Sequence, residues 1–188
     1  MCRVTLLNGC VDCEILIPSF IDETVGDLRF VKHAVVGVSG GSDSVALLHF
    51  LCTLRVNFGL TFDITAAHVN HMLRGSESDR DESFVRNFCK ENSVPLKVLK
   101  IDVASEAANL KKGVEETARH LRYEFFRSLV CDSSGAFIFV AHTLTDSIET
   151  VVMNMLRGGG LRGFCGIRKN RGGIIRPFIH ISKRETEK

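Results

Sequence analysis

Hydrophobic positions along this chain switch repeatedly between strand-like runs and helical spacing. Val35-Val36-Gly37-Val38 is a β-branched run, and Val45 to Leu51 continues apolar, so the pattern predicts a strand over about 33–38 and a helix to about Phe58. Phe62 to Val69 predicts a second strand. Ser76-Glu77-Ser78-Asp79 opens a helix with a capping-box-like start, and Phe84, Val85 and Phe88 share its apolar face. Pro95 to Val103 predicts strand three, Gly113 to Cys131 a helix, and Ala136 to Ala141 a buried strand. Thr145 to Arg157 predicts a further helix, stopped by Gly158-Gly159-Gly160, and Ile174-Ile175 a last short strand before Pro177. Upstream, Phe20, Ile21, Val25 and Leu28 recur at helical spacing within 19–30. This alternation predicts an α/β fold, a doubly wound, mostly parallel sheet with helices on both faces. Ligands in such folds sit beyond the carboxyl ends of the strands.

Composition narrows the class. The 188 residues suit one ordinary domain with flanking sequence, and 45% hydrophobic with 24% charged content reads as soluble and globular. No apolar run reaches the ~20 residues of a spanning helix, and Met1 to Leu7 is interrupted too soon for a signal peptide. Seven scattered cysteines, an odd number, argue against a secreted disulfide framework and for a reducing cytoplasm. Cys10 and Cys13 form a lone C-x-x-C, read as two ordinary thiols because no second pair stands at zinc spacing. Charge is uneven. Residues 1–150 carry 15 Lys/Arg against 20 Asp/Glu, whereas 151–188 carry 9 against 2. A basic C-terminal part points to a polyanionic partner.

The candidate chemistry starts at the first strand end. Ser39-Gly40-Gly41-Ser42-Asp43-Ser44 lies between predicted strand and predicted helix. Gly40 and Gly41 permit positive φ and close backbone approach to an anion, and the serines supply hydroxyls. Asp43 repels phosphate by charge but suits Mg²⁺, which takes carboxylate and phosphate oxygens together. The loop lacks the spacing and lysine of a Walker A motif and is not the dinucleotide Gly-x-Gly-x-x-Gly turn. Three more clusters follow: His68-Val-Asn70-His71-Met-Leu-Arg74 after strand two, Glu116-Thr-Ala-Arg119-His-Leu-Arg122-Tyr123 on a helix, and His142-Thr143-Leu-Thr145-Asp146-Ser-Ile-Glu149 after strand four. Taken alone, each also suits satisfied strand-end polar groups, a solvated helix face, or acids at a helix N-terminus.

The hexapeptide resembles the PP-loop of the ATP pyrophosphatases. In order and spacing, the motifs from about Lys32 to Phe178, including Arg157-Gly-Gly-Gly-Leu-Arg162-Gly and Ile175-Arg176-Pro177-Phe178, resemble the tRNA(Ile)-lysidine synthases within that superfamily. The chain departs from the family at Thr143 and Thr145, where a second His and an extra acid or Asn are common. The resemblance implies an adenine nucleotide alpha hydrolase-like (PP-loop) fold. It also implies ATP-dependent ligation of L-lysine to the wobble cytidine of the isoleucine tRNA with a CAU anticodon. ATP adenylates the cytosine oxygen and releases pyrophosphate, and the lysine ε-amine then displaces AMP.

Site roles follow from the resemblance. Ser39, Gly40, Gly41, Ser42, Asp43, Ser44 and His68 would bind ATP, and Asp43 with Asp146 would hold Mg²⁺. Asp43, Arg119, His142, Asp146 and Glu149 form the catalytic set, with Glu149 near the lysine ammonium. Arg122, Arg157, Arg162, Arg168 and Arg176, with Lys169 and Arg171, would contact tRNA. The expected organisation is an N-terminal extension over 1–30, a catalytic domain over 31–178, and the start of a linker helix over 179–188, with tRNA-recognition domains beyond this chain. The expected setting is cytoplasmic, away from membranes, and homodimerisation stays open. The competing functions are a PP-loop tRNA thiolase, which isolated cysteines disfavour, and an ATP-binding module without catalysis.

Overall fold

The computed structural model describes residues 28–131, 133–158, 160 and 164–186. Its centre is β1 (His33–Gly37), flanked by β2 (Asp63–Asn70) and β4 (Ala136–Phe139). β3 (Leu96–Lys100) lies outside β2, and β6 (Ile174–Ile175) lies outside β4, followed by β5 (Asn170–Arg171) at the edge. The order is therefore β3-β2-β1-β4-β6-β5, parallel except for the β5–β6 hairpin, which turns through Gly172 and Gly173, both at positive φ. The doubly wound, mostly parallel sheet read from the alternation is the one observed. The chain runs β1 to β3 in one direction and then crosses to β4 on the other side of β1. A crevice opens at that reversal, above the carboxyl ends of β1 and β4.

The middle of β1, Ala34 to Val36, is apolar and buried because both faces are covered. Ala34, Val36 and Val38 pack with Leu47, Leu48, Leu51 and Leu54 of α1 (Ser42–Asn57), and with Val85 and Cys89 of α2 (Ser76–Glu91). Val35 packs on the opposite face with Tyr123 and Phe126 of α4 (Val114–Ser128), joined by Ile138 and Val140. Gly37 closes β1 where Phe126 crosses it. A Cβ there would lie 2.8 Å from Phe126 Cζ. Gly37→Ala is therefore expected to lower stability in urea melts by about 1–3 kcal/mol through overpacking, with Gly37→Ala/Phe126→Leu recovering part of that loss.

Two elements differ from the pattern-based reading. Strand three stops at Lys100, and Val103 opens a helix instead, α3 (Val103–Leu110). Asp102 caps it, accepting from Ser105 N at 3.1 Å and Ser105 Oγ at 2.8 Å. The Asp102 cap outweighs the strand-like stretch Leu96 to Ile101 before it. The second addition is β5, too short to carry a period. α5 (Leu144–Leu156) forms where expected, yet none of its residues is buried, and Ile148, Val152, Met155 and Leu156 are exposed. Past the 3₁₀ turn Pro177–His180 comes one last helical turn, α6 (Lys183–Thr186). Most of the segment 19–30, Cys10 and Cys13 lie outside the described residues; within 28–30, Leu28 is buried in the core and Phe30 is exposed.

Candidate functional site

The loop after β1 is held open by its own serines. Ser39 N donates to Ser44 Oγ at 3.1 Å, and Ser44 Oγ donates to Gly41 O at 2.8 Å. Gly40 takes φ +98°, a conformation that side chains rarely permit. Ser42 and Asp43 open α1, so their N–H groups have no intrahelical acceptor. With Gly40 N they carry no partner among the described residues. Free N–H groups, hydroxyls and a helix N-terminus thus converge on one point, an arrangement suited to phosphate.

This loop forms one wall of a cleft of about 490 Å³. The ends of β2 and β4 form the others, so the cleft lining includes His68, Asn70, His71, Arg74, Arg122, Tyr123, Ala141, His142, Asp146 and Lys183 beside Ser39 and Gly41 to Ser44. Chain-distant motifs meet here because the register sets Gly37 against Ala67 and Val36 against Phe139.

The histidines have defined chemistry. His68 is 2% exposed, and its Nδ1 lies 2.8 Å from Val38 O, which can only accept. Nδ1 therefore carries a proton, so in the neutral ring Nε2 is an acceptor, and it has no protein partner among the described residues. His142 Nδ1 accepts from Arg176 Nε at 3.2 Å, so its neutral ring keeps the proton on Nε2. Burial, reinforced by the Arg176 guanidinium, pushes His142 down to about 4. Burial, reinforced by Arg122 and His68, does the same to His71, also to about 4. Both rings are neutral at pH 7 in the folded protein, whereas unfolded histidine titrates near ~6.5. Unfolding between those values takes up protons, so stability should fall as pH drops from about 6.5 through 4. Urea midpoints at pH 7.5, 5.5 and 4.5 should show this slope, and His142→Gln should flatten it.

Asp146 is a helix-capping acid as well as a cleft residue. Its Oδ2 accepts from Thr143 N at 2.6 Å and Thr143 Oγ1 at 2.9 Å, while Thr143 Oγ1 accepts from Asp146 N, a full capping box. Asp43 Oδ1 accepts from Thr186 Oγ1. Each carboxylate keeps its other oxygen outside these bonds. No group of three His, Cys, Asp or Glu among the described residues could hold a metal. A cation here would thus use two carboxylate oxygens and substrate phosphate, the kind of set Mg²⁺ accepts.

The arginines divide differently from the sequence-based assignment. Arg176 is 6% exposed, tied to His142 and donating from Nη1 to Arg168 O at 3.0 Å. It orients His142 and is not available to a tRNA backbone. Arg122 lines the cleft rather than the outer surface. Arg119 is exposed outside the lining, its guanidinium 5.1 Å from the Tyr123 ring centroid. Glu149 is also exposed and outside the lining. Arg157 and Arg168 lie exposed near the end of α5 and before β5, and Arg162 lies outside the described residues.

Three contributors carry roles that the sequence did not assign. Asn70 Nδ2 donates to Glu82 Oε2 at 2.8 Å and Asp79 Oδ1 at 3.1 Å, while its Oδ1 accepts from Met72 N at 3.0 Å. This ties the His71–Arg74 loop to α2. Its place between His68 and His71 was the available signal. Lys183 and Thr186 had none, being some 140 residues from the loop they approach.

A parallel sheet with a glycine-rich anion loop at its reversal point, lacking Walker lysine or dinucleotide turn, defines a nucleotide-binding α/β domain. The chain belongs to the PP-loop domain family, whose model matches residues 18–188. It is 45% identical over 151 residues to a tRNA(Ile)-lysidine synthase of Chlorobaculum tepidum, covering 80% of this chain and 45% of that protein. A Clostridium tetani protein of the same name is 42% identical, covering 81% of this chain and 32% of its own length. The chain therefore spans less than half the length of these curated relatives. Among solved structures, the U34-tRNA thiolase NcsA from Methanococcus maripaludis with its [4Fe-4S] cluster superposes with TM-score 0.65 at 21% identity, over 89% of this chain and 61% of that one. That likeness speaks to the fold. No described helix is long and apolar enough to cross a membrane.

Proposed function

We propose that this chain is the ATP-using catalytic domain of a tRNA(Ile)-lysidine synthase, acting in the cytoplasm on the CAU-anticodon isoleucine tRNA with L-lysine as acceptor. One observation carries this reading: the phosphate loop and the His142–Asp146 cluster, about a hundred residues apart, line a single cleft. Its volume suits a nucleotide with an adjoining base. The relatives' names supply tRNA and lysidine.

The polyphosphate of ATP rests on the free N–H groups and hydroxyls of Ser39 to Ser44, with its α-phosphorus toward the β4 side. His68 Nε2, a bare acceptor, takes a donor of the nucleotide. The target cytosine leaves the anticodon loop and enters past Arg74 and Arg122, at low cost because loop bases are already accessible. Its oxygen attacks the α-phosphorus, and pyrophosphate departs. His142 donates through Nε2–H to the oxygen gathering charge, and Arg122 offsets the same charge. Mg²⁺ held by Asp43 and Asp146 would neutralise the phosphates and polarise the phosphorus. The lysine amine, entering unprotonated with Glu149 at its approach, then attacks the activated carbon; the C–N bond forms as the C–O bond to AMP breaks, and the surplus proton on nitrogen passes to solvent. Arg119, Arg157 and Arg168, with Lys169 and Arg171, supply the basic surface for the tRNA backbone, and Arg162 keeps its sequence-based assignment to the same partner.

The test combines the protein with this tRNA, ATP, Mg²⁺ and labelled lysine, and follows label in tRNA and pyrophosphate release. One lysine incorporated for each pyrophosphate released is expected. Pyrophosphate release that depends on a sulfur donor instead of lysine would favour thiolation and overturn the reading.

A further inference from the structure

The anion loop Ser39–Ser44 contains no cation, and the cleft's three acids, Asp43, Asp81 and Asp146, work against a polyphosphate. The positive charge must come from elsewhere in the lining. Arg122 sits on α4 across the sheet and Arg74 on the loop after β2. The third cation, Lys183, belongs to α6, the element tied directly to the phosphate loop's own acid.

That tie is specific. Thr186 Oγ1 donates to Asp43, three residues along α6 from Lys183. On the other side, Lys183 N donates to Thr145 Oγ1 at 3.3 Å, and Leu144 N donates to Ile181 O at 2.8 Å. The backbone that carries Lys183 is therefore fastened both to the start of α1 and to the start of α5. Lys183 is exposed, and its ammonium has no hydrogen bond or ion pair among the described residues. It lines the same cleft as Ser39 and Ser42 to Ser44. An unpaired ammonium on a flexible stem, with its backbone anchored beside an anion cradle, suits a phosphate group as a compact point charge with three donors.

We infer that Lys183 is a phosphate-binding residue of the nucleotide site, contacting the polyphosphate end of ATP and the departing pyrophosphate, with Thr145 positioning it. This rests on the ATP-using reading above. It gives Thr145 a role of its own: its hydroxyl holds the Lys183 backbone.

Calorimetry on the purified chain, with ATP, inorganic pyrophosphate and AMP as separate probes, tests this. Lys183→Met is expected to weaken ATP and pyrophosphate binding at least about tenfold while AMP binding changes less than about twofold, the charge-assisted contacts being on the outer phosphates. Lys183→Arg should restore most of the affinity, and Thr145→Val should give an intermediate loss for ATP and pyrophosphate. Unchanged ATP and pyrophosphate affinity in Lys183→Met would overturn the inference, as would an equal loss for AMP. A loss confined to RNA binding would also overturn it, reassigning Lys183 to the tRNA backbone. Absence of ATP binding in the unmodified chain would instead sink the ATP-using reading itself.

Discussion

Asp43→Ala is expected to lower tRNA-dependent pyrophosphate release by at least about a hundredfold, the range typical of losing one preorganised electrostatic contribution to a transition state. Asp43 sits at the start of α1, beside free N–H groups that attract phosphate, so its carboxylate repels a phosphate bound there unless a cation bridges the two. Its second contact complicates the alanine variant, because Asp43 also receives the Thr186 hydroxyl and so anchors α6. Asp43→Asn separates the two roles. An amide oxygen still accepts from Thr186, but the charge is gone. If charge is what matters, Asp43→Asn should be nearly as impaired as Asp43→Ala, and raising Mg²⁺ should rescue neither fully. Near-normal release by Asp43→Asn would make Asp43 a structural anchor and remove it from the cation site.

Gly40→Ala should cost ATP affinity on a similar scale while leaving the fold largely intact. Gly40 holds φ +98°, a region in which a Cβ is strained whatever the space around it, and that Cβ would also meet Asp81 Cβ at 3.4 Å. Strain of this kind is worth about 1–3 kcal/mol. The loop relieves it by changing shape, and the N–H groups of Gly40, Ser42 and Asp43 then no longer converge. The loop lies outside the hydrophobic core and relaxes by itself, so the melting temperature without ligand should move little, whereas the rise in melting temperature on adding ATP should disappear. An undiminished ATP-dependent rise would mean the nucleotide does not use this cradle.

The two largest expected effects both fall in a segment legible from sequence alone, for a physical reason. Val35 to Val38, the Ser-Gly-Gly-Ser-Asp-Ser turn and the α1 pattern are contiguous, so strand, turn and helix each leave a local signature. The same holds for α2, α4, β4 and α5, whose boundaries the pattern placed within a few residues. α3 was missed because one capping side chain, Asp102, decides where the chain turns from strand to helix, and the strand-like stretch Leu96 to Ile101 beforehand hides that decision.

Site residues were legible as types and unevenly as roles. His142 stood out because a histidine at a strand end beside an acid is conspicuous. Its proton position was invisible, since the partner that sets it, Arg176, is 34 residues away. Arg176 itself looked like one of several surface cations in a basic tail. The tertiary structure buries it against His142 and the Arg168 carbonyl, because β6 pairs with β4 and brings the two strand ends side by side.

By itself, then, the sequence determined the α/β class, the parallel sheet and the glycine-rich turn between β1 and α1, because these depend on neighbours along the chain. Which side chains face one another depended on strand order and register, which no local spacing encodes. Only folding brought Thr186 to Asp43 across 143 residues, tied Lys183 to the cleft through Thr145, turned Arg176 inward and left Glu149 outside the lining. A motif specifies its own backbone; it cannot specify which distant helix end will be pinned against it.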